Sequence, residues 1–288
     1  MLTSALRLIG CVASLSLLAL MSQAHAQSGE IPSCYSANQL PLPAHSVKRE
    51  LFVVIDQTTV LDAALTQSLG RQLQPLVVPG TRFRIFSFSA FSQGRYLQPL
   101  GGGTLEPPLV DASVRNATAV GKLKALDACL KSQWAYGTKL AAKAVGEALA
   151  GSTDTLAKSD VLSSLAAVSN AIRDEATGAR KTVLVVSDML ENSSITSFYA
   201  KDRMRQINPV EEARKVEKAN VQADFAGADV YVMGAGIVPE LPRGGKGTLN
   251  YRTPQALEAL HTFWEGFFDR SHARLVAFGM PALLTQIK

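Results

Sequence analysis

Two aspartates close runs of apolar residues. Asp56 ends Leu51-Phe52-Val53-Val54-Ile55, with Thr58 two positions on, and Asp188 ends Thr182-Val183-Leu184-Val185-Val186-Ser187. Between them in the chain come Thr153-Asp154-Thr155 and Ser159-Asp160. Carboxylates and hydroxyls with no His or Cys beside them are hard oxygen donors. If both aspartates reach one place, the chemistry they could share is the binding of Mg²⁺ or Mn²⁺. Few direct carboxylates would leave such an ion under-neutralised, and an acidic group on a ligand would complete its shell. Weaker signals point elsewhere. Ser187-Asp188 with His261 or His272 has the groups for nucleophilic hydrolysis, but no Gly-x-Ser-x-Gly elbow accompanies them. Arg243-Gly-Gly-Lys246-Gly-Thr248 lacks the spacing of a phosphate loop and reads as a plain loop.

The elements that must position these residues follow from the apolar pattern. Leu51–Ile55, Thr182–Val186 and Ala228–Gly236 are continuous apolar runs rich in β-branched residues, as expected of strands covered on both faces. Thr81–Phe88 alternates and reads as a further strand. Gly94–Leu100 is a short strand joined to it by so few residues that it must run antiparallel. Residues 101–116, with three glycines and Pro107-Pro108, read as a loop. Helices are predicted from near Thr59, over Ala117–Ala150 with a break at Gly137, over Ser159–Ala176, over Pro209–Phe225, and from Pro254, capped by Thr253, to about Arg270. The polar stretch Glu191–Asn208 follows a candidate site acid and reads as a recognition loop. Leu275–Phe278 is a last strand. Phe263, Trp264, Phe267 and Phe268 cover more than one helix face, mostly as core, with any surplus aromatic marking a partner surface. Strands alternating with helices define a Rossmann-like, doubly wound α/β fold: a mainly parallel central sheet, one antiparallel edge strand and helices on both faces. In such a sheet, sites form outside the carboxyl ends of the strands.

Composition narrows the function classes. The chain has 288 residues, 47 % hydrophobic and 18 % charged, which excludes a disordered tail and fits a full core. The net charge of +5 is not concentrated in any basic stripe, so nucleic acid is excluded as a partner. Residues 1–26 read as a signal peptide: Arg7 is their one charge, an apolar stretch runs from Leu8 to Met21, and Ala24-His25-Ala26 is a small-x-small cleavage site. The expected product is exported, periplasmic or secreted, with no membrane span left after cleavage. A lead segment, 27–46, precedes one domain, 47–288. Export leaves Cys34 and Cys129, a natural pair in an oxidising compartment, the alternative being two separate buried thiols.

The chain resembles the von Willebrand factor A family. Leu51–Val60 is similar to that family's apolar strand followed by Asp-x-Ser-x-Ser, Lys181–Asp188 to its strand ending in Thr-Asp-Gly, and Ala228–Gly236 to its strand ending in Gly-Val-Gly. Ser159-Asp160-Val-Leu-Ser-Ser-Leu165 resembles the segment that carries its metal-binding threonine. The resemblance implies a metal-ion-dependent adhesion site of Asp56, Thr58, Ser159 and Asp188, holding Mg²⁺ or Mn²⁺. It further implies a module that binds another protein without turnover. Two positions depart from the pattern: Val60 stands where a second serine is usual, and Met189 where glycine is usual. The Asp56 run also looks like the first motif of haloacid dehalogenase-type phosphatases. That likeness implies Asp56 as a nucleophile beside Mg²⁺, Ser187 as a second hydroxyl and Lys201 or Lys215 as the lysine. The further acids that scheme needs are missing from Met233-Gly234-Ala235-Gly236.

Overall fold

Leu51–Ile55 present no polar face, so the strand they form must be covered from both sides. They lie within β1 (Arg49–Asp56), buried from Glu50 onward. The structure, a computed structural model, describes residues 31–89, 97–153, 159–174, 178–200, 203–238 and 253–288. A short helix, α1 (Cys34–Ala37), precedes β1; α2 (Ala63–Leu73), β2 (Thr81–Phe88) and β3 (Gln98–Thr104) follow it. Then come α3 (Ala112–Ala117), the long α4 (Val120–Ala150), α5 (Val161–Asp174) and β4 (Arg180–Val186). A small hairpin, β5 (Tyr199–Ala200) and β6 (Arg203–Met204), leads to α6 (Pro209–Lys218), β7 (Ala228–Met233), α7 (Pro254–Arg270) and β8 (Ala273–Gly279).

Six strands form one sheet in the order β3-β2-β1-β4-β7-β8. Every neighbouring pair is parallel except β2 and β3, so the doubly wound α/β fold with one antiparallel edge strand is present. Alternation splits the core into two layers. Phe52, Val54, Val183, Val185, Val230 and Val232 face α5, α6 and α7. Leu51, Val53, Ile55, Leu184, Val186 and Met233 face the other layer, with α2, α4 and the C-terminal Leu283 and Ile287. Gln72 of α2 clips that terminal segment down: its Nε2 donates to the Thr285 carbonyl at 3.1 Å, and its Oε1 accepts from Ile287 N–H at 3.0 Å.

Several local expectations are corrected. Gly101–Gly103 belong to β3 rather than to a loop, because Ile31 packs directly onto Gly103 and leaves no room there for a Cβ. The supposed loop also contains α3, whose first turn Asp111 caps from Ser113 N–H and Val114 N–H. Helix α4 runs through Gly137 without a break. Gly137 is small because Leu105 and Ile31 press on it. The helix after β1 starts at Ala63, where Asp62 accepts from Leu65 N–H. Helix α6 stops at Lys218, and Asn220 turns the chain with φ +53°. Thr253 caps α7 with Pro254 in its first turn, as expected. Phe263, Trp264, Phe267 and Phe268 are all buried, so none of them marks a partner surface. Cys34 and Cys129 form a disulfide with Cα atoms 5.7 Å apart, fastening α1 to α4. Among the described residues, no helix is long and apolar enough to cross a membrane. Residues 1–26, the read signal peptide, and Arg243–Thr248 lie outside the described residues.

Candidate functional site at the carboxyl ends of β1 and β4

The register Ile55↔Val186 sets Ser187 beside Asp56 and carries Asp188 one residue further along the rim. In the order β3-β2-β1-β4-β7-β8, the sheet reverses its winding between β1 and β4, where a crevice is expected. Asp56 is fully buried, and both its oxygens are taken by donors from this chain. Oδ1 accepts from Thr58 N–H at 2.8 Å and from the Thr58 hydroxyl at 2.6 Å, a local turn typical of aspartate. Oδ2 accepts from the Ser187 hydroxyl at 2.8 Å and the Ser159 hydroxyl at 3.2 Å. One carboxylate therefore ties together the loops after β1, before α5 and after β4. Burial raises its proton affinity above the usual carboxylate range, against the pull of the Thr58, Ser187 and Ser159 hydrogen bonds.

Asp188 sits behind this hub. Its Oδ1 accepts from Leu190 N–H at 2.8 Å, and its Oδ2 accepts from the Tyr199 hydroxyl at 3.0 Å. Its backbone N–H donates to Thr59 Oγ1 at 2.9 Å, and its carbonyl accepts from Gly236 N–H at 2.8 Å. Burial, then the Asp188 carboxylate, pushes the Tyr199 hydroxyl to a higher pKa, so it stays a proton donor. Met189 adopts φ +60°, the left-handed conformation in which glycine is at ease. The departure at this position thus keeps the backbone shape. It is held by Met189 N–H on Ser187 Oγ at 2.9 Å and by Trp264 Nε1–H on the Met189 carbonyl at 2.8 Å.

The structure brings Asp56, Thr58, Ser159 and Ser187 into one network, with Asp188 linked to it through Thr59 and the backbone of Ser187. Thr153 N–H donates to the Gln57 carbonyl at 2.8 Å, and 154–158 lie outside the described residues. Tyr199 and Glu191 were not singled out by residue in the sequence, although both fall in the polar stretch after Asp188. Glu191 is fully buried, its Oε2 accepting from Leu162 N–H at 2.8 Å while Oε1 has no hydrogen-bond partner among the described residues. Burial raises its pKa to about 8. Glu212, also buried, binds Arg205 at 2.7 Å, Lys215 at 3.0 Å and Thr196 at 2.6 Å, which pins the hairpin loop to α6. His261 lies against Phe278 and His272 against Asp224, so neither is poised on Ser187.

Thr58 and Ser159 give their protons to Asp56 and retain oxygen lone pairs, as hydroxyl ligands backed by a carboxylate require. Val60, 49 % exposed, supplies no oxygen at the rim. Among the described residues, no group of three His, Cys, Asp or Glu side chains gathers in one place. The donors are of the right chemical kind, but fewer than six oxygens are offered.

No family model matches the chain, and none of the curated proteins matches it. Among solved structures it is similar to an aerotolerance-related membrane protein from Bacteroides fragilis, carrying multiple mutations to serines. That match has 12 % identity, covers 74 % of this chain and 87 % of the other, and has a TM-score of 0.31. At that level the likeness says nothing of what this chain does.

Proposed function

We propose that the chain is a von Willebrand A-type binding module, exported, that engages another protein at the rim where β1 and β4 end, without turnover. The observation that carries this reading is the Asp56 hub, which organises three loops at the switch point of the sheet while leaving no carboxylate oxygen open for attack. In this reading Mg²⁺ or Mn²⁺ is held by the Thr58 and Ser159 oxygens, with Asp56 and Asp188 behind them as charge-balancing acceptors. The ion would supply a Lewis-acidic point for an acidic group on the partner. Asp56 would orient the two hydroxyls, and Tyr199 would steady Asp188.

The test is thermal melting of the purified chain with millimolar Mg²⁺ or Mn²⁺ against chelator. A site at tenfold its Kd should add about 1.4 kcal/mol, or roughly 3–5 °C. The increment should vanish in Thr58→Val and Ser159→Ala. An unchanged melting temperature would remove the ion. A second, metal-free reading is favoured by one fact: each oxygen of Asp56 and Asp188 already has an internal donor. Under it the same rim binds its partner through loops that the hub merely shapes. The phosphatase reading fares worse. A nucleophilic Asp56 needs an exposed oxygen, and Lys215 Nζ rests on Glu212 at 3.0 Å. Lys201 lies outside the described residues.

A further inference from the structure

At the opposite end of the sheet from Asp56, the first residues of four strands gather charge. Arg49 opens β1 and Arg180 opens β4, and the register sets them side by side, about 5 Å apart at the usual strand spacing. By alternation they share the sheet face of Leu51 and Leu184. Asp229 of β7 and Arg274 of β8 are register partners beyond them. Asp229 is spoken for. Its Oδ2 accepts from Arg180 Nε at 3.2 Å and Nη2 at 2.8 Å. Its Oδ1 accepts from Arg274 Nε at 2.8 Å and lies 2.6 Å from Nη2. Among the described residues, no acceptor pairs with Arg49.

The Nε–H of Arg49 is buried and unanswered. Thr182, fully buried two residues into β4 on the same face, leaves its hydroxyl unanswered too. Orphaned buried donors are rare, and two in one corner call for an acceptor there. Burial, then the neighbouring Arg180 charge, lowers the pKa of the Arg49 guanidinium, which nonetheless keeps its proton. Three guanidinium groups against one carboxylate leave two positive charges unbalanced. We propose that this corner binds the dianion of a phosphate monoester between Arg49 and Arg180, with Asp229 holding Arg180 in place. The charge selects the ligand: a carboxylate balances one of the two charges, whereas a doubly charged tetrahedral group balances both and has oxygens for two guanidinium forks. Entry is from solvent, since the Arg180 and Arg274 side chains are 48 % and 73 % exposed and Arg49 is half-buried. The corner shares no residue with the Asp56 rim, so its failure would leave the binding-module reading untouched.

Titration calorimetry of the purified chain with glycerol phosphate, doubly charged at about pH 8, tests this. Sodium chloride holds the ionic strength constant, so general screening is the same in every titration. Saturable one-to-one binding is expected, and acetate should give none. Arg49→Met keeps the apolar stem and removes the charge. It should weaken glycerol phosphate by about tenfold or more. In chloride alone the same variant should melt no lower than wild type, because it loses only a repulsion with Arg180. Sedimentation with vesicles separates the sources of the group. Binding to phosphatidic acid, a monoester, but not to phosphatidylglycerol, a diester, assigns it to a lipid; binding of glycerol phosphate with neither vesicle assigns it to a soluble ester. The proposal is overturned if glycerol phosphate gives no saturable heat, if acetate matches it, or if both vesicles bind alike. It is also overturned if Arg49→Met binds glycerol phosphate as wild type does, or if it melts lower in chloride, which would reveal a partner for Arg49 within the chain.

Discussion

Burial raises the proton affinity of Asp56, and the hydrogen bonds from Thr58, Ser187 and Ser159 lower it without fully offsetting burial. Removing the carboxylate therefore strands several buried donors at once. Asp56→Ala should cost about 3–5 kcal/mol, whereas Asp56→Asn keeps one acceptor and should cost less; urea melts of both separate the two. Glu191 sets a pH dependence. Its folded pKa of about 8 lies above its unfolded value, so its contribution is fully present in acid and is lost as pH rises toward 8. The Glu191→Gln chain should show a flatter stability curve between pH 5 and 8, and equal slopes would dismiss the assignment. Asp56, raised in the same sense, adds to the decline. At Met189 two effects compete. Glycine would relieve a left-handed strain of about 1–2 kcal/mol, but vacating a fully buried methionine costs about 2–5 kcal/mol. Met189→Gly should thus lower the melting temperature. Asp56 and Asp188 were legible because each ends an apolar run. The reach of Tyr199 back to Asp188 was not, since it depends on how the ten intervening residues fold.

Among the elements, those with strong periodicity were legible and those set by close approach were not. Helix α7 announces itself through Thr253, Pro254 and its buried aromatics. The second half of β3 reads as a loop because Gly101–Gly103 carry no strand propensity; the packing of α4 on Gly101, of Arg84 on Gly102 and of Ile31 on Gly103 explains why side chains are excluded there. Gly137 reads as a helix break for the same reason. Alanine at Gly137 would gain up to about 1 kcal/mol of helix propensity, but its methyl would be driven into Leu105 and Ile31, and overpacking costs about 1–3 kcal/mol. Gly137→Ala should therefore destabilise the chain in thermal melts, whereas Gly146→Ala, which meets open space, should raise stability. The pair of results distinguishes packing from propensity.

At the level of the whole molecule, the alternation of apolar strands and amphipathic helices prescribes parallel pairing, and the sheet places the two aspartate-ended strands side by side. The return of the terminal residues Leu283 and Ile287 under α2 was not legible. They are few, and their anchor is the side chain of Gln72 two hundred residues away in sequence. The bond between Cys34 and Cys129 spans a sequence separation of 95, so in the loop-closure picture its loss in Cys129→Ser should cost about 4–5 kcal/mol, read from guanidinium melts under oxidising conditions. That loop encloses β1, β2 and β3. A protease that cuts anywhere within it severs the backbone without parting the pieces. On a denaturing gel the nicked protein should migrate as a single band and fall into two fragments only once a thiol is added.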